Sequence, residues 1–210
     1  MTHRVELYTL YERLWHWLQA LSIIALSITG FEIHAPGRVR LFGFSAASWL
    51  HEALALFTIA NGLLALFYHL STGAIRQFVP EPKDILSMGF VQLRYYFYGI
   101  FHGAQHPFVR QPGNKLNLLQ QVTYLAILNV LLPLQLASGI VIWRAGAWPR
   151  LMETLGGLRT VATLHVAVAW LFVAFVIMHV YLTTTGHTPL AHIRSMIVGH
   201  EPAEAEHETR

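Results

Sequence analysis

Cysteine and charge are the two scarce components of this sequence. None of its 210 residues is cysteine, which excludes disulfides, iron–sulfur clusters, thiolate zinc sites and covalent haem attachment through a CxxCH motif. Charged residues make up 12%, about half the share that is usual in soluble proteins. Hydrophobic residues make up 54%, and this balance is typical of membrane proteins. The net charge of +3 is not gathered into a basic run, so we expect a lipid bilayer and no nucleic acid as partner.

Four apolar segments are long enough to cross a bilayer, which takes about 20 helical residues. Short links join the first two and the last two segments, and residues 71–119 form a long link between the two pairs. We therefore predict an all-α membrane protein, a four-transmembrane-helix bundle that forms one membrane-embedded domain over residues 1–210. The predicted spans are 14–31, 49–70, 120–143 and 161–181.

Two further segments carry structural expectations. Between Asp84 and His106 the long link is rich in apolar and aromatic residues but too often interrupted to span, so we predict a helical link lying in the membrane interface. The polar tail from Gly199 to Arg210 is expected to fray.

The first apolar segment contains a histidine and lacks a small-residue cleavage site, so we expect it to remain as an anchor.

The lysines and arginines predict the orientation. Nine of the fourteen lie in the termini and the long link, including both lysines, and five lie in the two short links. Because basic residues are enriched on the cytoplasmic side, both termini are predicted to be cytoplasmic.

The histidines in the spans are the most informative residues. His165 and His179 lie fourteen residues apart in the last span, so they face nearly the same side of a helix and are roughly 21 Å apart along its axis. Alternating helix directions place His51 at the depth of His165, near the outer face, and His16 at the depth of His179, near the inner face. Two imidazoles from different helices are what a six-coordinate b-type haem needs. We therefore predict two haem b groups with the axial ligand pairs His16–His179 and His51–His165.

Other residues in the spans allow more than one interpretation. His69 follows His51 by five helical turns and faces the same side. It could be an alternative inner ligand, contact a haem propionate or reach the membrane interface. Gly30, Gly62 and Gly139 could let a flat cofactor approach a helix backbone or allow helices to pack closely.

The histidine arrangement resembles the dihaem cytochrome b subunits of respiratory complexes. That family includes the gamma subunit of formate dehydrogenase, the cytochrome b subunit of nickel–iron hydrogenases and thiosulfate-reductase-type membrane subunits. The resemblance covers almost the whole chain, from Glu12 to about Glu201. In the family, the first-span histidine pairs with the second histidine of the fourth span, which implies the same two ligand pairs. It also implies a multi-pass protein of the bacterial inner membrane.

The segment from Lys115 to Gln120 is similar to the Lys-x-Asn-x-x-Gln pattern that begins the third span in this family. There the asparagine is associated with a quinone, so the resemblance implies a quinone site, for menaquinone or ubiquinone, at Asn117 and Gln120. An asparagine at this position is also a good N-terminal helix cap, and that alternative stays open.

The implied function is electron transfer between the quinone pool and a periplasmic-side redox partner, an iron–sulfur or multihaem protein. The chain would be the electron-transfer subunit of an oxidoreductase complex, with quinone reduction or quinol oxidation as its chemistry and with homo-oligomers of the complex as an option. One alternative is a self-contained dihaem superoxide oxidase linked to quinone. Another is a transporter that moves metal ions or protons along histidines, which the near absence of Asp and Glu from the spans disfavours.

Overall fold

The computed structural model describes residues 4–80, 82–104, 107–108, 115–185 and 188–202. Its main elements are four helices that are long and apolar enough to cross a membrane. Helix α1 is Leu10–His34, α2 is Phe44–Thr72, and α7 is Gly157–Thr183. The third span, Leu118–Trp143, consists of α4 (Leu118–Ala126), a π-helical turn (Ile127–Leu131) and α5 (Leu132–Trp143). The predicted all-α, four-helix membrane bundle is confirmed.

Each spanning helix begins before the apolar segment that predicted it. At α1 a capping box explains this: the Thr9 hydroxyl accepts from the Glu12 backbone N–H, and the Glu12 carboxylate accepts from the Thr9 backbone N–H. Asn117 and Gln120 form the same reciprocal cap at the start of α4. Such caps supply partners for backbone N–H groups that the helix itself leaves unbonded.

The π-helical turn precedes Pro133, the second residue of α5. Proline has no backbone N–H, so the regular hydrogen bond to the carbonyl four residues earlier cannot form at this point. The N–H of the preceding residue, Leu132, bonds to Ile127 O, five residues earlier. The backbone stays helical through the span but contains one wide turn.

The links contain short elements of their own. Between α2 and α4 lie a 3₁₀ turn (Ala74–Phe78), helix α3 (Pro82–Phe97) and a second 3₁₀ turn (Gly99–His102). A helix therefore exists in the predicted interfacial link, although residues 105 and 106 lie outside the described ranges. Helix α6 is Pro149–Thr154 and α8 is Ala191–Val198.

The expectation that the tail frays from Gly199 onward is wrong for its first residues. Strand β2 (His200–Pro202) pairs antiparallel with strand β1 (Arg4–Glu6), and the Leu7 N–H bonds to Gly199 O at 2.9 Å. Backbone hydrogen bonds thus link the two ends of the chain. Residues 203–210 lie outside the described part of the chain.

The spanning helices pack as two pairs. Helix α1 packs along α2, α5 packs along α7, and the two pairs touch each other at few points. Many large apolar side chains point outward from all four spans, as lipid contact requires. Helix bundles bind cofactors between side chains on facing helices, so the gap between the two pairs is where a ligand would lie.

Carboxylates fix both ends of α1. At the N-terminal end, Lys115 Nζ lies 2.6 Å and 2.8 Å from the two Glu12 carboxylate oxygens, so α1 is linked to the start of the third span. At the C-terminal end, the Glu32 side chain is 1% exposed and accepts from three consecutive backbone N–H groups at 2.7–3.1 Å. These donors are Leu41, Phe42 and Gly43, which immediately precede α2. The carboxylate therefore fixes the position of α2 against α1.

Candidate functional site

The four histidines predicted as ligands meet in two pairs. The imidazole centroids of His16 on α1 and His179 on α7 are 6.1 Å apart. Those of His51 on α2 and His165 on α7 are 6.4 Å apart. In both pairs the partners come from opposite sides of the gap between the helix pairs. The structure thus brings together the residues that the depth argument paired.

The ring separations suit a metal ion between the imidazoles. An imidazole nitrogen binds a transition metal at about 2 Å, and the ring centre lies roughly 1 Å beyond that nitrogen, so two opposed rings would have centroids about 6 Å apart. Both pairs have this separation.

Two ligands are too few for a bare zinc site, which takes three or four protein ligands. Within the ranges that the structure describes, no group of three or more His, Cys, Asp or Glu residues is placed to hold one metal ion. Paired imidazoles suit haem, because the porphyrin supplies the other four nitrogens. The donor set and spacing therefore fit two haems.

The pair His51–His165, which we call the outer pair after its predicted position, is held by hydrogen bonds from neighbouring helices. Thr29 Oγ1 on α1 lies 2.9 Å from His51 Nδ1, and Ser138 Oγ on α5 lies 2.9 Å from His165 Nδ1. On the other side of the His165 ring, Gln135 Nε2 lies 3.1 Å from Nε2. Each outer histidine is thus bonded to the helix that packs beside its own.

Two of the three glycines singled out in the spans face these same rings. A Cβ at Gly30 would lie 3.3 Å from His51 Cε1, and a Cβ at Gly139 would lie 3.1 Å from His165 Cε1. Around Gly62, in contrast, a Cβ would meet nothing within 4 Å. The close approach at Gly30 and Gly139 is therefore between a helix backbone and an imidazole.

Aromatic rings lie beside the pair His16–His179, which we call the inner pair after its predicted position. His179 stacks on Phe175 with centroids 5.6 Å apart, and His16 meets the edge of Trp17 at 5.4 Å. Among the described residues, His16 Nδ1 and Trp15 Nε1 are buried polar atoms with no hydrogen-bond partner in the protein. Buried donors and acceptors normally have partners, so this end of the gap fits a group that brings polar atoms of its own, as haem propionates do.

His69 is 6% exposed and has a different environment from the paired histidines. Its Nδ1 donates to Ala65 O at 2.7 Å, and its ring packs edge-on against Trp15, Tyr68 and Phe78. The histidine that opposes His179 is His16. This arrangement favours His69 as a neighbour of the inner site over a role as an axial ligand.

Asn117 and Gln120 are occupied by local bonds. Asn117 is 2% exposed; its Oδ1 caps α4 by accepting from Gln120 N at 2.9 Å, and its Nδ2 donates to Tyr96 Oη at 2.9 Å. Gln120 Oε1 accepts from Asn117 N at 3.0 Å. The helix-cap interpretation that the sequence left open is therefore realised, and Asn117 also links α4 to helix α3.

Three residues at the outer site were not found from the sequence: Thr29, Gln135 and Ser138. A signal for two of them is present, because a hydroxyl residue directly precedes a glycine in span one (Thr29-Gly30) and in span three (Ser138-Gly139). Gln135 lies one turn before Ser138, and a polar amide in an apolar span is unusual enough to indicate a role.

The chain matches the family model described as prokaryotic cytochrome b561 over residues 7–199. No solved structure matches it at a significant level.

Several curated proteins are similar to nearly the whole chain. A protein of Escherichia coli (strain K12) named as a cytochrome, YdhU, is 30% identical over 94% of this chain and 74% of its own length. A protein of Azospira oryzae named as a subunit of a protein-methionine-sulfoxide reductase, YedZ1, is 26% identical over 90% of this chain and 93% of its own length. A protein of Cupriavidus necator named as a B-type cytochrome subunit of a Ni/Fe hydrogenase is 29% identical over 80% of this chain and 74% of its own length.

Proposed function

The chain belongs to the prokaryotic cytochrome b561 family, and from this premise we propose that it carries electrons through two haem b groups between the quinone pool and a partner redox protein. Family membership and the four apolar helices make it a multi-pass membrane protein in which b-type haem transfers electrons across the membrane. The number of haems, their ligands, the quinone and the partner are our proposals. We assign His51 and His165 to the outer haem, and His16 and His179 to the inner one.

One observation carries the two-haem proposal: α7 contributes one histidine to each of two opposed imidazole pairs. The fourteen residues between His165 and His179 correspond to roughly 21 Å along the helix, most of the hydrocarbon thickness of a bilayer. Each haem supplies one-electron chemistry at its iron. The chain supplies neutral nitrogen ligands, holds their rings in place and surrounds them with apolar side chains, which together set the reduction potentials.

A redox partner is supported by the names of two relatives, which describe subunits of a Ni/Fe hydrogenase and of a protein-methionine-sulfoxide reductase. We propose that this chain is likewise the membrane subunit of an oxidoreductase complex. Its partner would be an iron–sulfur or multihaem protein at the outer, periplasmic face, next to the His51–His165 pair. This orientation follows the basic residues, which predict cytoplasmic termini in the bacterial inner membrane.

We place the reaction with quinone at the inner side, near Asn117 and Gln120. The Asn117 amide nitrogen carries two hydrogens, and its bond to Tyr96 uses one of them. The second could donate to a quinone carbonyl. The reciprocal cap with Gln120 would hold the amide in a fixed orientation.

The substitution Asn117→Asp tests the quinone contact without removing the helix cap. Aspartate keeps an oxygen that can cap α4, but it has no amide N–H. We expect Asn117→Asp to retain both haems and to slow reoxidation of the reduced haems by a short-chain quinone analogue at least tenfold in stopped-flow measurements. Wild-type reoxidation rates in this variant would remove Asn117 from the quinone site.

The primary test is a dithionite-reduced minus oxidised spectrum of the purified chain, with haem quantified per polypeptide. We expect two extractable b haems. One haem per chain would mean that only one histidine pair binds haem. A chain without haem, although produced with haem supplied, would overturn the proposal. Fast haem reduction by superoxide in the isolated chain, followed by quinone reduction, would favour a self-contained superoxide oxidase instead.

A further inference from the structure

The outer histidines are each supported by a hydroxyl–glycine pair, which we define as Thr29-Gly30 on α1 and Ser138-Gly139 on α5. In both pairs the hydroxyl contacts the imidazole Nδ1 at 2.9 Å, and the glycine backbone lies against the imidazole Cε1 edge. In both, the supporting helix is the one that packs beside the helix of the histidine. The same arrangement of a hydroxyl and a glycine thus supports both histidines of the outer pair.

The direction of these hydrogen bonds can be derived from the hydroxyl protons. Thr29 Oγ1 donates to Ala25 O at 2.9 Å and Leu26 O at 3.2 Å, one turn earlier on α1. A threonine hydroxyl has one proton and two lone pairs. Because that proton is used by the backbone, Oγ1 can only accept from His51, so His51 Nδ1 carries the proton.

Ser138 repeats the arrangement. Its Oγ donates to Leu134 O at 2.6 Å and Gln135 O at 3.1 Å, so it must accept from His165 Nδ1–H. In a neutral imidazole the other nitrogen, Nε2, then carries the lone pair. Gln135 Nε2 lies 3.1 Å from His165 Nε2, and an amide N–H donor there is the partner that a lone pair needs.

We propose that Thr29 and Ser138 are positioning residues that fix the outer histidines in the Nδ1–H tautomer, so that the lone pair of each ring lies on Nε2. At His165 the Gln135 amide contacts this lone pair, and a metal bound there would take the place of the amide. This inference rests on the proposed function, since it assigns those lone pairs to the iron of the outer haem. The hydroxyls do not touch the iron; they act through the rings. A hydrogen bond from the second ring nitrogen raises the basicity of a metal-bound imidazole, which favours the ferric over the ferrous state.

The test compares Thr29→Val, which keeps the side-chain shape, with Thr29→Ser, which keeps the hydroxyl. Ser27→Ala is a matched control on the same helix, because Ser27 Oγ donates to Ile23 O. Each variant is titrated potentiometrically with optical detection, and the outer haem is assigned as the component missing from His165→Ala. We expect Thr29→Val to raise the ferrous-to-ferric ratio of the outer haem at a fixed potential about two- to tenfold, the range of one neutral hydrogen bond. Thr29→Ser and Ser27→Ala should titrate as wild type, and the inner haem should not change.

Ser138→Ala provides an independent test, because it removes one atom and adds none. It should shift the outer haem in the same direction as Thr29→Val, or release that haem while the inner one remains. Wild-type outer-haem titrations in both Thr29→Val and Ser138→Ala would overturn this inference and leave the proposed function standing. If the wild-type chain bound no haem, the proposed function itself would fail. If Thr29→Val did not fold, the result with Ser138→Ala would decide.

Discussion

The outer and inner histidine pairs have nearly equal ring separations but are held in different ways. At the outer pair, hydroxyls on neighbouring helices bond to both Nδ1 atoms. At the inner pair, the rings of Phe175 and Trp17 lie against the imidazoles, and His16 Nδ1 has no hydrogen-bond partner among the described residues. The outer rings are therefore fixed in orientation and tautomer, whereas packing alone positions His16.

The contrast concerns His16 in particular. A hydrogen-bonded ring has one favoured orientation, whereas a ring held by aromatic packing can adjust with its neighbours. A bound haem would therefore have to supply the contacts that fix the orientation of the His16 ring.

The largest effect is expected from removing a ligand. His165→Ala should lower haem content from two to one per chain and remove the outer haem, and His179→Ala should do the same for the inner haem. Pyridine haemochrome quantification and the reduced-minus-oxidised spectrum measure this. Loss of the same spectral component in both variants would contradict the division into two sites.

Adding a methyl group at a glycine should affect the outer site alone. In Gly139→Ala the new Cβ would lie 3.1 Å from His165 Cε1, so the ring must shift by a few tenths of an ångström. We expect a severalfold lower affinity for the outer haem and a smaller loss in Gly30→Ala, where the distance is 3.3 Å. Haem retained per chain after detergent washing reports the effect.

Gly62→Ala is the matched control for these variants, since a Cβ there meets nothing within 4 Å. Alanine is favoured over glycine inside a helix by about 0.5–1 kcal/mol. Gly62→Ala should therefore keep both haems and unfold at the same or a higher temperature. Equal haem loss in all three variants would mean that the close contacts at the outer rings are unimportant.

An intermediate effect is expected at the C-terminal end of α1. Glu32→Ala leaves three backbone N–H groups without their acceptor and should lower the free energy of unfolding by about 3 kcal/mol. Glu32→Gln, which keeps one oxygen acceptor, should cost less. Because these N–H groups position α2 and hence His51, the outer haem should dissociate before the inner one on heating. The exposed Glu52 is the control, and Glu52→Ala should unfold as wild type.

The smallest effect is expected at His69. His69→Phe keeps an aromatic ring among Trp15, Tyr68 and Phe78 but removes both ring nitrogens. Both haems should be retained, and any shift should be confined to the inner haem, which the potentiometric titration resolves. Loss of the inner haem in this variant would make His69 a ligand and would require a different pairing at that end.

The spans and the histidine pairing could be predicted from sequence because both follow from helix geometry. Length and apolar composition identify a span, and residue spacing gives depth. The helices extend beyond the predicted spans, because polar capping residues begin two of them and an apolar criterion does not count such residues. The Thr9–Glu12 box was visible in the sequence and would have located the start of α1 correctly.

The hydroxyl–glycine pairs could not be assigned from sequence, although their residues are visible. Which hydroxyl meets which ring depends on the axial offset and rotation between neighbouring helices. Glu32 contributes to that offset through hydrogen bonds with residues 41–43, and such contacts to backbone leave no spacing pattern in the sequence. The pairing of β1 with β2 was missed for a similar reason, since two three-residue strands far apart in the chain carry no periodicity.

The wide turn at Ile127–Leu131 acts as a one-residue insertion in the third span. In a regular α-helix, a single extra residue would turn everything beyond it by about 100° around the axis. A turn closed by a bond to the carbonyl five residues earlier holds one residue more than an α-helical turn, so the wide turn takes up the extra residue within itself. Deleting one residue between Ile127 and Leu131 should therefore leave Ser138 and Gly139 facing His165. Deleting one residue elsewhere between Asn117 and Ser138 should turn them away from it.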